Sequence, residues 1–459
     1  MTEQTLTFDL NKLNLDDLSI SNLRAAYAQG LTPLQLVEHI IGKMQQDSQQ
    51  DSHQVWIYPL DAQWLRAYAQ DITNQNPADL PLYGIPFAIK DNIDLAGVPT
   101  TAACPEFAYI PCESATVVQK LLAAGAIPLG KTNLDQFATG LNGTRSPYGV
   151  ARNSINPDYI AGGSSSGSAL AVALNLVSFA LGTDTAGSGR VPAAFNRLVG
   201  LKPTCGLLSN KGVVPACRSL DSVSIFANNA KDCQQVLAIA QGFDVLDPYS
   251  KAITLPAPVG LKTIGVPRYE QLKFFGDNEY AGLFNRTIER LTEQGYAVVE
   301  VDFSPFLQAA QLLYAGPWVA ERYHVVQDLM QQRPDSLLPV IQQIIAKATQ
   351  YRAVDCFAAF YQLAAYKRQA DQIMASVDLM LTPTTGTIYR IEDVLANPVE
   401  LNNQLGYYTN FMNLLDFSAI AIPAGQRSDG LPFGITLFGE AAKDLTLLSL
   451  AQQLEQVLQ

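Results

Sequence analysis

The chain has 459 residues, 48% hydrophobic and 16% charged, enough for one large core or about three domains of ordinary size. Its 30 Lys and Arg against 42 Asp and Glu give a net charge of −12, which argues against a general nucleic-acid or anionic-membrane binder yet allows a local cationic pocket. It contains no uninterrupted apolar run of about 18 residues, so no membrane-spanning helix is expected, and the cytoplasm is the expected compartment.

The N-terminal segment MTEQTLTFDLNKLNLDD is polar and acidic, unlike a signal or transit peptide. Residues 32–46 read as a helix, with Thr32 as its cap, Pro33 in its first turn and apolar residues at helical spacing. Residues 83–90, YGIPFAIK, alternate as a strand, Ile85, Phe87 and Ile89 facing one way and Ala88 and Lys90 the other. A helix at 114–125 leads into a buried strand at 126–130. The stretch 162–168 holds only Gly and Ser; Ala169, Val172, Ala173, Leu176 and Val177 then mark a helix face, before a short strand, SFALG. The loop TDTAGSGR follows, leading into VPAAFNRLVG. This alternation predicts an α/β fold: a large mixed, twisted sheet covered by helices on both faces.

The second half is more helical. A helix is expected at 278–294 and a strand at 296–301, with long helical stretches at 306–332 and 337–374. Buried strands are expected at 377–385 and 417–425, and a closing helix at 443–457. With no repeat and no low-complexity linker, residues 1–459 read as one domain. It comprises an N-terminal helical region to about 75, a core at about 76–230 and a helical region at about 270–380.

Three motifs compete for the chemistry. GAIPLGKT, at 125–132, matches the phosphate-loop pattern, but a helix precedes Gly125 and the variable residues look like the strand itself. A helix-to-strand turn at Gly125 is the better reading. The run Gly163-Ser164-Ser165-Ser166-Gly167 matches a nucleophile elbow centred on Ser165, which needs a later histidine. The histidines are His39, His53 and His324, and only the last lies downstream, inside a helical stretch. The third candidate is a set of separated pieces: Lys90 at a strand end, Ser164 after paired glycines, and Ser188 in the TDTAGSGR loop. A buried lysine can act as a base, a serine can pass its proton, and glycines leave backbone N–H groups bare for an oxyanion. The six cysteines, Cys104, Cys112, Cys205, Cys217, Cys233 and Cys356, lack CxxC pairs and read as free thiols.

The pieces GIPFAIKDN, GKTNLDQFATG, AGGSSSGSALAVA, GTDTAGSGRVPAA and GLKPT, in this order and spacing, resemble the amidase signature family. The resemblance implies a Ser–cisSer–Lys triad: Lys90 as base, Ser164 as bridging serine after a cis peptide, and Ser188 as nucleophile. It further implies an oxyanion hole from the N–H groups of Thr185, Ala186, Gly187 and Ser188. Ser165, Ser166 and Ser168 are left to helix capping and packing.

Within the family, LNGTRSPYGVARNSINPDYIAGGSSSGSA and AGPWVAERY are most similar to allophanate hydrolases, which implies a small anionic amide, a urea carboxylate, as substrate. Tyr314 and Arg322, eight apart, are expected on one helix face, and the resemblance makes them the carboxylate binders. Gly140 is expected to touch substrate through its backbone, and Asp184 and Arg190 to support the nucleophile loop. No metal, cofactor, nucleic acid or membrane partner is expected; a homodimer and coupling to a urea carboxylase are. Allophanate hydrolases often carry a further C-terminal domain, expected to be absent from this chain. The alternative within the family is the glutaminase subunit of a tRNA-dependent amidotransferase.

Overall fold

The computed structural model of the protein describes residues 15–50 and 53–458; most of the N-terminal segment read above as no signal peptide lies outside the described residues. Among the described residues a single eleven-stranded sheet runs through the molecule. Its strands are β1 (Trp56–Pro59), β2 (Pro86–Lys90), β3 (Ile127–Thr132), β4 (Phe179–Asp184), β5 (Val199–Lys202) and β6 (Ser222–Ala227). They continue with β7 (Thr263–Pro267), β8 (Ala297–Val301), β9 (Leu379–Pro383), β10 (Phe417–Gln426) and β11 (Pro432–Glu440). The order across the sheet is β1-β3-β2-β4-β6-β5-β10-β11-β9-β7-β8. β2 pairs in parallel with β3 and β4, and β7 with β8 and β9, while the remaining pairs are antiparallel. The expected mixed α/β sheet is therefore present.

Every residue of β2, β4 and β6 is buried, so alternation there separates two covered faces rather than core from solvent. The β2–β4 register places Phe87 opposite Phe179, with rings stacked 5.2 Å apart. The helix Pro33–Gln50 begins as expected. Gln35 N donates to Thr32 Oγ1 at 3.2 Å, and Thr32 N donates back to Gln35 Oε1 at 2.9 Å.

Three expectations are corrected. The stretch 306–332 is two helices, Ser304–Tyr314 and Val319–Gln332. Pro317 has no N–H to continue the ladder, and a Cβ on Gly316 would come 2.4 Å from Leu312 O, so the chain turns between them. The stretch 337–374 likewise divides into Pro339–Ile345, a tight turn Ala346–Gln350 and the long helix Ala353–Met374. β11, absent from the sequence reading, contains Gly434, where a Cβ would meet Ala194 Cβ at 2.6 Å. The weak strand formers in it are there for close helix packing.

Candidate active site

Parallel pairing of β2 and β4 brings their C-terminal ends side by side, the position at which open α/β sheets place their sites. Lys90 ends β2, Ser164 precedes the helix Ser166–Ala173, and Ser188 stands in the loop after β4. Lys90 Nζ donates to Ser164 Oγ at 2.8 Å, and Ser164 Oγ lies 2.9 Å from Ser188 Oγ. All three side chains are buried. Burial pushes the Lys90 amine down to about 7, aided by the Arg322 charge and opposed by Asp135, Asp221 and Asp184.

Two supporting residues are missing from the sequence reading. Thr183 Oγ1 accepts a second hydrogen bond from Lys90 Nζ at 2.8 Å. Asp135 accepts from the N–H groups of Asn142 at 3.2 Å, Gly143 at 3.1 Å and Arg145 at 3.0 Å, while its own N–H donates to Ser164 O at 3.1 Å. The Gly163–Ser164 peptide is cis, and a Cβ on Gly163 would come 2.2 Å from Asp135 Oδ2. One carboxylate thus fastens the 140–145 loop to the serine turn. Its signal was the chain position itself, inside the GKTNLDQFATG piece.

The loop that carries Ser188 is built around Asp184. Its carboxylate accepts from Gly187 N at 2.9 Å and Gly189 N at 3.0 Å, and pairs with both Arg190 Nε at 2.9 Å and Nη2 at 3.0 Å, wholly buried. Asp184 and Arg190 therefore support the loop as expected. Of the four N–H groups assigned to an oxyanion hole, that of Gly187 is spent on Asp184. Those of Thr185, Ala186 and Ser188 donate to no group among the described residues. Thr185 Oγ1 bonds to the buried Asp221, whose carboxyl burial raises to about 6. Ser188 Oγ lies 3.5 Å from Gly140 O, which places that backbone at the centre.

Tyr314 and Arg322 do not share a helix, since the break at Pro317 separates them. They meet across the turn instead. Arg322 Nη2 donates to Tyr314 OH at 3.2 Å, and the guanidinium carbon stands 5.1 Å from the ring centroid. Nη1 donates to Thr139 Oγ1 at 2.9 Å and Ala138 O at 3.2 Å, while Nε has no partner. Glu321 bonds Ser219 rather than Arg322. Among the described residues the wholly buried ion pairs are Lys131–Asp91 and Arg190–Asp184; Arg322, 2% exposed, has no carboxylate within ion-pair distance, and burial of its charge is offset by the Tyr314 and Cys217 groups and the more distant Asp221 and Glu321. Such a group is costly unless an anion completes it.

The rival motifs are structural. Gly125 turns the chain from helix to strand at φ +91°, and Lys131 sits within β3, 3.0 Å from Asp91. Ser165 Oγ donates to Thr183 O at 3.1 Å and Ser168 Oγ to Leu181 O at 2.9 Å. Ser166 packs, its Oγ 3.5 Å from Asn133 O, and none of the three caps the helix through its side chain. His324 is exposed on the helix Val319–Gln332. Among the described residues, no helix is long and apolar enough to cross a membrane.

Comparison with known proteins places this geometry in context. The chain is 45% identical over 410 residues to a urea amidolyase of Saccharomyces cerevisiae, a match covering 86% of this chain and 22% of that protein. A solved allophanate hydrolase from Kluyveromyces lactis superposes with a TM-score of 0.90 at 41% identity, covering 96% of this chain and 72% of that one. The chain is also 32% identical to a glutamyl-tRNA(Gln) amidotransferase subunit of Chloroflexus aggregans, over 96% of both. The amidase family model matches residues 35–448. On these matches, the chain belongs to the amidase family.

Proposed function

We propose that this amidase hydrolyses allophanate, releasing ammonia from its terminal amide through Lys90, Ser164 and Ser188. The observation that carries the choice of substrate is Arg322, buried, with no ion-pair partner among the described residues, beside Tyr314 and bonded to Thr139, the residue before the Gly140 carbonyl that faces Ser188. A planar guanidinium fork matches a carboxylate. The likeness to urea amidolyase and allophanate hydrolase supports the same reading.

In the proposed course, neutral Lys90 takes a proton from Ser164 as Ser164 takes one from Ser188. Ser188 Oγ attacks the terminal amide carbonyl, and the N–H groups of Thr185, Ala186 and Ser188 receive the negative oxygen. The proton returns through Ser164 to the leaving nitrogen as the C–N bond breaks. Water, deprotonated by the same relay, then cleaves the acyl-serine to give N-carboxycarbamate, which loses CO2 to end as ammonia and CO2. Residues 1–459 acting as one domain, as a homodimer in the cytoplasm and coupled to a urea carboxylase, belong to the same proposal.

The second reading is a glutaminase component of a tRNA-dependent amidotransferase, favoured by the near full-length match to the Chloroflexus aggregans protein. An ammonia-release panel on allophanate, biuret, malonamate and glutamine separates the two. Release from allophanate and none from glutamine is expected; the reverse pattern overturns the assignment.

A further inference from the structure

A cavity of about 490 Å³ lies beside the catalytic centre. Its walls come from the helix Ser304–Tyr314, the turn Ala346–Gln350 and the segment 399–410. Lys90, Ser164, Ser188 and Arg322 do not line it; Tyr314 does, so it adjoins the site described above without containing the serines. The two are contiguous. Tyr314 lines the cavity and takes the hydrogen bond from Arg322. Asn402, also in the lining, accepts from Leu141 N at 2.8 Å, next to the Gly140 carbonyl that faces Ser188.

The cavity has one sign of charge. Its lining includes Arg145 and Lys347 but no Asp or Glu, in a chain of net charge −12. Arg145 is 2% exposed; its Nη1 donates to Thr139 O at 2.9 Å, Nη2 to Pro398 O at 2.5 Å, and Nε has no partner. It takes part in neither wholly buried ion pair. Arg145 and Arg322 both donate to Thr139, one to its carbonyl and the other to its hydroxyl. Two buried guanidinium groups therefore bracket one residue. Burial disfavours the charge on Arg145, and Arg322 adds to this, while Asp135 and Tyr314 oppose it. Asp135, whose carboxylate is committed to backbone N–H groups, is the nearby acid, and neither guanidinium has a carboxylate within ion-pair distance among the described residues. Lys347 stands exposed at the outer edge, where it meets solvent.

We propose that this cavity is a staging site for small carboxylate anions, bound by Arg145 inside and Lys347 at the rim, from which substrate passes Tyr314 to reach Arg322. A cation-lined cleft free of acids concentrates anions and speeds their capture, which an acidic protein would otherwise slow. The inference rests on the allophanate reading for its substrate and extends it to a second site.

The test is calorimetric titration of the full chain carrying Ser188→Ala with malonamate, which pairs a carboxylate with a terminal amide. Two molecules per chain are expected. Lys347→Glu, at an exposed position, removes one of them, as does Arg145→Gln; Arg322→Gln removes the other and leaves the staging site filled. A single molecule, or none, whose binding Lys347→Glu does not change overturns the proposal. In the wild-type background, Lys347→Glu lowers kcat/KM for allophanate about tenfold at low salt, through KM, and the deficit shrinks at high salt. Equal losses on uncharged biuret also overturn it. Wild-type protein inert toward allophanate defeats the functional reading alone, because malonamate stoichiometry still decides the site.

Discussion

Lys90 and Thr183 stand 2.8 Å apart, nitrogen to hydroxyl oxygen, on neighbouring parallel strands. The amine is thus held between two hydroxyls, Ser164 and Thr183, with no carboxylate among its hydrogen-bond partners. Such surroundings favour the neutral amine that the proposed base role requires.

With burial holding the Lys90 amine at about 7, kcat/KM rises roughly tenfold per pH unit on the acid side and levels off above about 7. The sign follows from the role, since only the neutral amine accepts a proton. Thr183→Val removes an acceptor that favours the charged amine, so the limb moves to lower pH. A pH–rate profile that is flat between 5 and 8 in wild type (pH values chosen about the shifted amine) rejects Lys90 as the base.

Ser188→Ala abolishes turnover by about 10⁴-fold or more, with the circular dichroism spectrum of the native protein retained. Ser164→Ala costs about 10²-fold or more in kcat, because the gap it leaves separates base from nucleophile. Substantial residual activity in Ser188→Ala removes it as nucleophile.

Arg322→Lys raises KM for allophanate about tenfold or more and leaves kcat within a few-fold, as a point charge replaces a fork. Steady-state kinetics on the purified variant decides it; an unchanged KM takes Arg322 out of the substrate site.

Asp184→Asn leaves the buried Arg190 without its charge partner and loosens two N–H anchors, costing about 3–5 kcal/mol in stability. Burial alone would raise the Asp184 carboxyl, but Arg190 outweighs it and holds it below the ordinary value. The contribution is therefore complete above about pH 4 and is lost as pH falls through the depressed value. Denaturant melts at pH 7 and pH 3 check both, and equal wild-type stability at the two defeats the assignment.

The sequence made some parts of this site legible and concealed others, for physical reasons. Lys90, Ser164 and Ser188 were each weak signals alone and stood out through the order and spacing of pieces that resemble the amidase signature family. Thr183 did not, because an ordinary strand residue acquires its partner only when β4 aligns with β2. Asp135 was equally quiet, since its ligands are backbone N–H groups that leave no mark on residue type. The pairing of Tyr314 with Arg322 was right for a wrong reason, helical spacing standing in for a turn at Gly316-Pro317. The elements read most accurately were those with caps and clear period, such as Asn278–Glu293.

The turn between Tyr314 and Arg322 also says where this architecture can be retargeted. The serine side of the centre is frozen, since Gly163 and Gly140 each abut the Asp135 carboxylate with no room for one more carbon. Tyr314 and Arg322, by contrast, sit on separate helices joined by a turn and touch each other through one hydrogen bond and a ring face, so that pair can be exchanged together. Directed evolution toward new amides should therefore gather its changes between residues 304 and 332 and leave the glycine–serine run untouched.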